Sequence, residues 1–388
     1  MSPNPMIGVV FHWLGGLAAG SFYAPYRYVK KWAWETYWLT GGLFAWIVAP
    51  WVFAWIMTPD LLGILKESSS RTLMWTYLFG VLWGIGGAFY GLTMRYLGIS
   101  LGCAVALGFC AAFGTLMPPI FRGVFVSQVL GTSSGLVILV GIGACLAGIA
   151  IAGMAGMVKE REMTRKQKEV SIQEFSFWKG LMVAVFAGVM SACFSYGLAA
   201  GDPIKAVAVA HGAGMLWQGL PALVVVLLGG FTTNFIWCVS LNIRNRTGHE
   251  YLSAIERGRV PSRAEETIIE TAIDAPSEEA IEQAPKPPDS GLHVPLLANY
   301  FLCAVAGVTW YFQFFFYSMG ESQMGAFKFS SWTIHMASII IFSTLWGIGL
   351  KEWKGTSLRA RVFLSLGLAI LILSTAVVGY GNYLGSAD

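Results

Sequence analysis

Charge is scarce in this chain. Only 12% of its 388 residues are Asp, Glu, Lys or Arg, about half the share of a soluble globular domain. That excludes an ordinary water-soluble enzyme. The net charge of +4 is dispersed between apolar runs, so it makes no basic face for nucleic acid either. Cysteine offers little more. Cys103, Cys110, Cys145, Cys193, Cys238 and Cys303 all lie inside apolar runs without a CxxC pair. Neither a metal site nor a disulfide scaffold has that pattern, and the six read as packing residues. No cofactor loop is present: "GIGG" at 84–87 follows no strand. Acidic and basic side chains are both absent from the depth of the apolar runs. The first absence argues against a cation as cargo, the second against a phosphate or carboxylate.

Long apolar stretches are what the chain has. Hydrophobic residues make up 56% of it, and a bilayer core needs roughly 20 of them per helix. Ten runs qualify: 6–29, 34–57, 72–94, 98–121, 132–157, 177–199, 213–243, 296–320, 329–350 and 359–384. The fold class is therefore an all-α integral membrane protein of ten transmembrane helices. "MSPNP" at the start carries no positive charge, and the run after it is long enough to stay as a span.

Lys and Arg orient the spans. Of 25, 20 fall in the loops joining spans 1–2, 3–4, 5–6, 7–8 and 9–10. Such loops are cytoplasmic by the positive-inside bias, which puts both termini outside. Residues 158–176 form a basic connector. Residues 244–295 include "RAEETIIETAIDAPSEEAIEQAPKPPDS"; that stretch is acidic and free of aromatic residues, and the loop is expected to be largely disordered and cytoplasmic.

The two halves echo each other. Trp83, Gly86 and Tyr90 stand at the offsets of Trp310, Gln313 and Tyr317. "FGTL" (113–116) precedes Arg122 as "FSTL" (342–345) precedes Lys351, and "SFY" (21–23) answers "CFSY" (193–196). Five spans per half invert the second copy, so residues 6–157 pair with 177–243 plus 296–384 as two inverted five-helix repeats. Secondary transporters are built this way, with the cargo site between the halves.

Polar side chains inside spans mark the candidate site. His12, Gln313 and His335 come from three spans, yet fall at one depth in the outer third. Trp332, His335 and Ser338 share a face of span 9 by helical spacing. His12, Gly16, Ala19 and Tyr23 share one of span 1, where the small residues are expected to leave room beside the histidine. Trp83 with Tyr90 and Trp310 with Tyr317 complete the set. Indole and phenol rings take the C–H faces of a sugar, while imidazole, amide and hydroxyl groups take its hydroxyls. A neutral sugar is the expected cargo. Histidine titrates near neutral pH, so His335 or His12 could couple a proton to it. Asp202, Glu321 and Lys328 fall in outer loops and read as solvated. Gly148, Ala152 and Gly156 read as a helix-packing stripe.

Six stretches carry a family resemblance: "FYAPYRYVKKWAWE" (22–35), "WGIGGAFYGLTMRYLG" (83–98), "GTLMPP" (114–119), "WYFQFFFY" (310–317), "SSWTIHM" (330–336) and "LKEW" (350–353). In this order they are similar to the bacterial L-rhamnose–proton symporters, relatives of the drug/metabolite transporter superfamily. The resemblance covers nearly the whole chain outside 245–292. It implies ten helices, import of L-rhamnose with a proton across the bacterial inner membrane, and no enzyme activity. The contexts of His12 and His335 look like family positions. The long acidic loop departs from the pattern, as does Lys328, which stands where an acidic residue is expected. Another neutral sugar or metabolite, uncoupled facilitation, a sensor and a membrane enzyme are the alternatives.

Overall fold

The computed structural model describes residues 3–162, 177–254 and 294–387. Every regular element among the described residues is helical. Ten helical stretches are long and apolar enough to cross a membrane: Pro5–Tyr28, Trp34–Met57, Ser70–Met94, Ser100–Phe121, Ser133–Glu162, Phe177–Ala210, Leu220–Asn245, Leu296–Ser322, Gly325–Gly349 and Leu358–Ser386. They are called spans 1 to 10 below.

Local chemistry explains where they start and bend. Asn4 caps span 1 by accepting from the Met6 and Ile7 amides, with Pro5 in the first turn. Span 2 changes pitch midway. Pro50 has no N–H to give residue 46, and the turn before it opens into a π segment, Phe44–Val48, which carries Trp46. Span 6 breaks at Gly201 into Phe177–Ala200 and Asp202–Ala210. Span 7 begins at Leu220 with Pro221 in its first turn, not at residue 213 as apolarity alone suggests. Residues 213–219 are not helical, with turns at 215–219, and Gly212 just before them takes a left-handed φ of 86°.

Span 1 lies against spans 8 and 9, and span 6 lies against spans 3 and 4. Span 2 packs on spans 7 and 8, span 7 on span 3, and span 5 on span 10. Close approach needs glycine. A Cβ on Gly16 would overlap Ser338, and one on Gly15 would stand 2.8 Å from the Gln313 carbonyl oxygen. Gly16 therefore leaves no room beside His12: it lets span 9 close in. The Gly148–Gly156 stripe does the packing expected of it, with Gly148 on Leu371 and Gly156 on Ser100. Large apolar side chains such as Phe121, Trp178, Ile243 and Leu297 point outward, as a lipid-facing surface requires.

The basic connector is described only up to Glu162, where it continues span 5. Of the acidic loop, residues 255–293 lie outside the described residues. Its first part is ordered: Gly248–Tyr251 forms a 3₁₀ turn beneath span 2.

Candidate functional site

Spans 1, 8 and 9 bring four of the expected residues together. The His12 ring lies 5.3 Å from Tyr317 and 6.4 Å from His335, centroid to centroid. His335 lies 5.1 Å from Tyr317 and 6.0 Å from Trp332. Both histidines are fully buried, and all four of their ring nitrogens are without a hydrogen-bond partner. Buried polar atoms are normally paired. Four unpaired nitrogens in one cluster make this the candidate site.

The neighbours of these rings are fixed. Trp332 donates its indole N–H to the Cys110 carbonyl at 3.0 Å and lies against Gly114. Ser195 donates to the Gly114 carbonyl at 2.6 Å, and Tyr196 to that of Phe113 at 3.1 Å. Spans 4, 6 and 9 are thereby locked around one wall.

From this cluster a column of rings runs through the protein. Phe314, 5.8 Å from His335, stacks on Phe194 at 3.9 Å. Phe194 meets Trp83 edge-on at 4.9 Å, and Trp83 stacks on Trp310 at 5.9 Å. Trp46 stands edge-on to Trp310 at 5.1 Å, Trp38 follows at 6.4 Å, and Tyr23 stacks on Trp38 at 6.1 Å. Trp83, Trp310 and Tyr23 thus belong to the same column as the histidines, further along it.

Three expected residues sit differently. Gln313 is buried, and its backbone faces Gly15. Ser338 spends its hydroxyl on the Ile334 carbonyl of its own helix at 2.7 Å and faces Gly16. Tyr90 joins no ring of the column among the described residues.

A polar network stands at each end of the column. Beyond Tyr317, Lys205 donates to Glu321 at 2.6 Å and pairs with Asp202 at 3.2 Å. Asp202 also takes Lys328 at 2.9 Å and pairs with Arg122. Spans 4, 6, 8 and 9 are tied by this cluster. Asp202, Glu321 and Lys328 are therefore joined in an ion-pair network instead of standing solvated in loops. Position in the sequence hid this, because the partners arrive from four separate spans.

The opposite end is held by carboxylates accepting hydrogen bonds. Glu35 accepts from Asn245 at 3.0 Å and from Thr247 at 2.8 Å. Glu250 accepts from the Ala33 amide and from Thr36, both at 2.7 Å. The single Thr247 hydroxyl proton is shared between Glu35 and the Asn242 amide oxygen, which lies 2.7 Å away. The cavity left between Trp38, Trp46 and Trp310 has a volume of about 10 Å³, room for about one water.

Sequence reasoning missed Phe194, Trp46, Trp38 and Asn234. Asn234 had left a signal, as the one amide in the middle of span 7.

A chain with this fold and column has recognisable relatives. The family model of the L-rhamnose-proton symport protein matches residues 1–249 and 287–383. A protein of Yersinia pestis (strain Pestoides F), named L-rhamnose-proton symporter, is 35% identical over 378 residues, covering 97% of this chain and 98% of its own. One of Cronobacter sakazakii (strain ATCC BAA-894), with the same name, is 35% identical over 383 residues, covering 98% and 99%.

Proposed function

We propose that this chain, which belongs to the family of the L-rhamnose-proton symport protein, carries L-rhamnose with a proton into a bacterial cell across the inner membrane. It is a transporter and not an enzyme. The observation that carries the reading is the ring column, with two unpaired histidines at one end and a polar network beyond each end.

The sugar would bind first at His12, Tyr317, Trp332 and His335. Its hydroxyls give the four imidazole nitrogens the partners they lack, and its C–H faces lie on the rings. Gln313, Ser338 and Tyr90 would join after the helices move, and Trp83, Trp310 and Tyr23 line the way onward. His335 and His12 are the proposed proton carriers. Protonation adds an N–H donor to a ring, and a sugar hydroxyl oxygen can accept from it. Sugar and proton then favour each other's binding, which is coupling by linkage.

Alternating access would come from two inverted repeats, residues 6–157 and 177–384, joined by the connector at 158–176 and with 244–295 inserted in the second. Three kinds of packing support this. Span 1 on spans 8 and 9 corresponds to span 6 on spans 3 and 4. Span 2 on span 8 corresponds to span 7 on span 3, and spans 5 and 10 pair with each other. The ion pair of Arg122 with Asp202 has a charge-swapped counterpart in Glu352 with Arg27, 3.9 Å apart, at the other end. With both termini outside, as the Lys and Arg bias has it, the Asp202 cluster is the outer closure and the Glu35–Glu250 network the inner one.

A suspension test is direct. Cells without their own rhamnose uptake, expressing this chain in weak buffer, should raise the external pH when L-rhamnose is added. Rhamnose entry with no pH change would remove the proton from the account.

A further inference from the structure

Two hydrogen-bond donors near the middle of the column have no acceptor, and neither belongs to the histidine cluster. Trp38 donates its indole N–H to Asn234 Oδ1 at 2.9 Å. An indole can only donate, so this bond fixes which way the Asn234 amide points. Its Nδ2 is left buried and unpaired. The indole nitrogen of Trp46 is unpaired too, on a side chain only 7% exposed. The two residues meet at Gly42, where a Cβ would stand 2.7 Å from the Trp46 ring and 3.0 Å from Asn234 Nδ2.

Trp46 lines the cavity between Trp38, Trp46 and Trp310, and Asn234 stands just behind it, its Nδ2 against Gly42, which lines the cavity with Gly41 and Gly307. No charged side chain lines it. The missing partner is an acceptor oxygen: one water fills that role at the present size, and once the cavity widens, the three indoles suit the C–H faces of an uncharged polar molecule. A cation could not take either donor. Trp310 precedes Tyr317 by seven residues, about 10 Å along the helix, so this place is separate from the histidine cluster.

We propose that Trp46 and Asn234 form a second sugar-binding station, which holds L-rhamnose by its hydroxyl or ring oxygens before release at the end bearing Glu35 and Glu250. This rests on the rhamnose transport reading. Tyr26, whose hydroxyl lies over Gly41, closes the station towards that end. At about 10 Å³ the cavity takes no sugar while closed, so occupancy follows the opening of this end.

The test uses the full chain in right-side-out and inside-out vesicles, with labelled L-rhamnose. Trp46→Phe keeps the ring and removes the N–H; Asn234→Asp keeps the acceptor for Trp38 and removes the free donor. Each should raise the half-saturation for rhamnose roughly threefold to tenfold from one face only, as the loss of one hydrogen bond implies. A second variant and a thermal melt guard against loss of fold. An unchanged value on both faces, or an equal rise on both, overturns the station while the wild type transports normally. A folded wild type that moves no rhamnose would instead overturn the transport reading, and the station with it.

Discussion

The indole of Trp83 stacks on that of Trp310, 5.9 Å between centroids and 29° between planes. The two residues hold corresponding positions in the two halves of the chain, and the stack stands where span 3 and span 8 face the core. If the two halves are the proposed repeats, rings from both make one surface there. A sugar passing this point would touch both halves at once, so movement of one half against the other changes its grip.

Removing that surface should slow transport without unfolding the protein. Trp310→Ala is expected to lower rhamnose uptake at least tenfold, because ring stacking and burial are lost together. Trp310→Phe should recover part of it. Initial uptake rates at matched protein levels decide this.

The histidines separate binding from coupling. His335→Ala should abolish accumulation driven by a proton gradient, while exchange of labelled for unlabelled rhamnose continues with a half-saturation roughly tenfold higher. His12→Ala should act in the same direction. Loss of exchange and accumulation to the same extent would assign these residues to binding alone.

Lys205 is the centre of the closure beyond Tyr317, and its side chain is only 11% exposed beside Glu321 at 12%. Lys205→Met leaves two carboxylates without their shared cation. A loss of about 3 kcal/mol of stability is expected, as for breaking a buried pair. Arg122 is 43% exposed, and Arg122→Gln should cost less than about 1 kcal/mol. Melting of the purified protein in detergent compares them.

Close packing of span 1 on span 9 gives a steric test. Gly16→Leu drives a side chain into Ser338 and should abolish uptake and lower the melting temperature. Gly87→Ala, where a Cβ meets nothing within 4 Å, should leave both unchanged.

The acidic loop is the part the family model leaves out, between residues 249 and 287. Deleting 256–285 should preserve rhamnose uptake. A sensor that signals through this loop would lose its output instead.

Much of this was legible from residue order. Apolar length sets spans, and the ten stretches come within a few residues of those read from composition, except at the end of span 6, which continues past Gly201 to Ala210, and at the start of span 7, reshaped by Gly212 and Pro221. Depth brought His12 and His335 together, and helical spacing set Trp332 beside His335; Gln313, expected at the same depth, turns its backbone to Gly15, and Tyr317 from its face joins the rings instead. What could not be read was pairing between distant spans. Lys205 is a local partner of Asp202, three residues on along one helix, but nothing local announces Arg122, Glu321 and Lys328, and nothing in "GLAAG" tells whether a small residue makes room or admits a neighbouring helix. Gly16 does the second. Ser338 shares a face with His335, yet its hydroxyl turns back to Ile334, a choice of rotamer that spacing does not encode.

Uptake of labelled L-rhamnose into proteoliposomes of the purified chain, with an inward proton gradient imposed and then dissipated, tests the central claim most directly. Symport predicts accumulation above the external concentration that collapses with the gradient. Uptake that only equilibrates, or none by demonstrably folded protein, would contradict it.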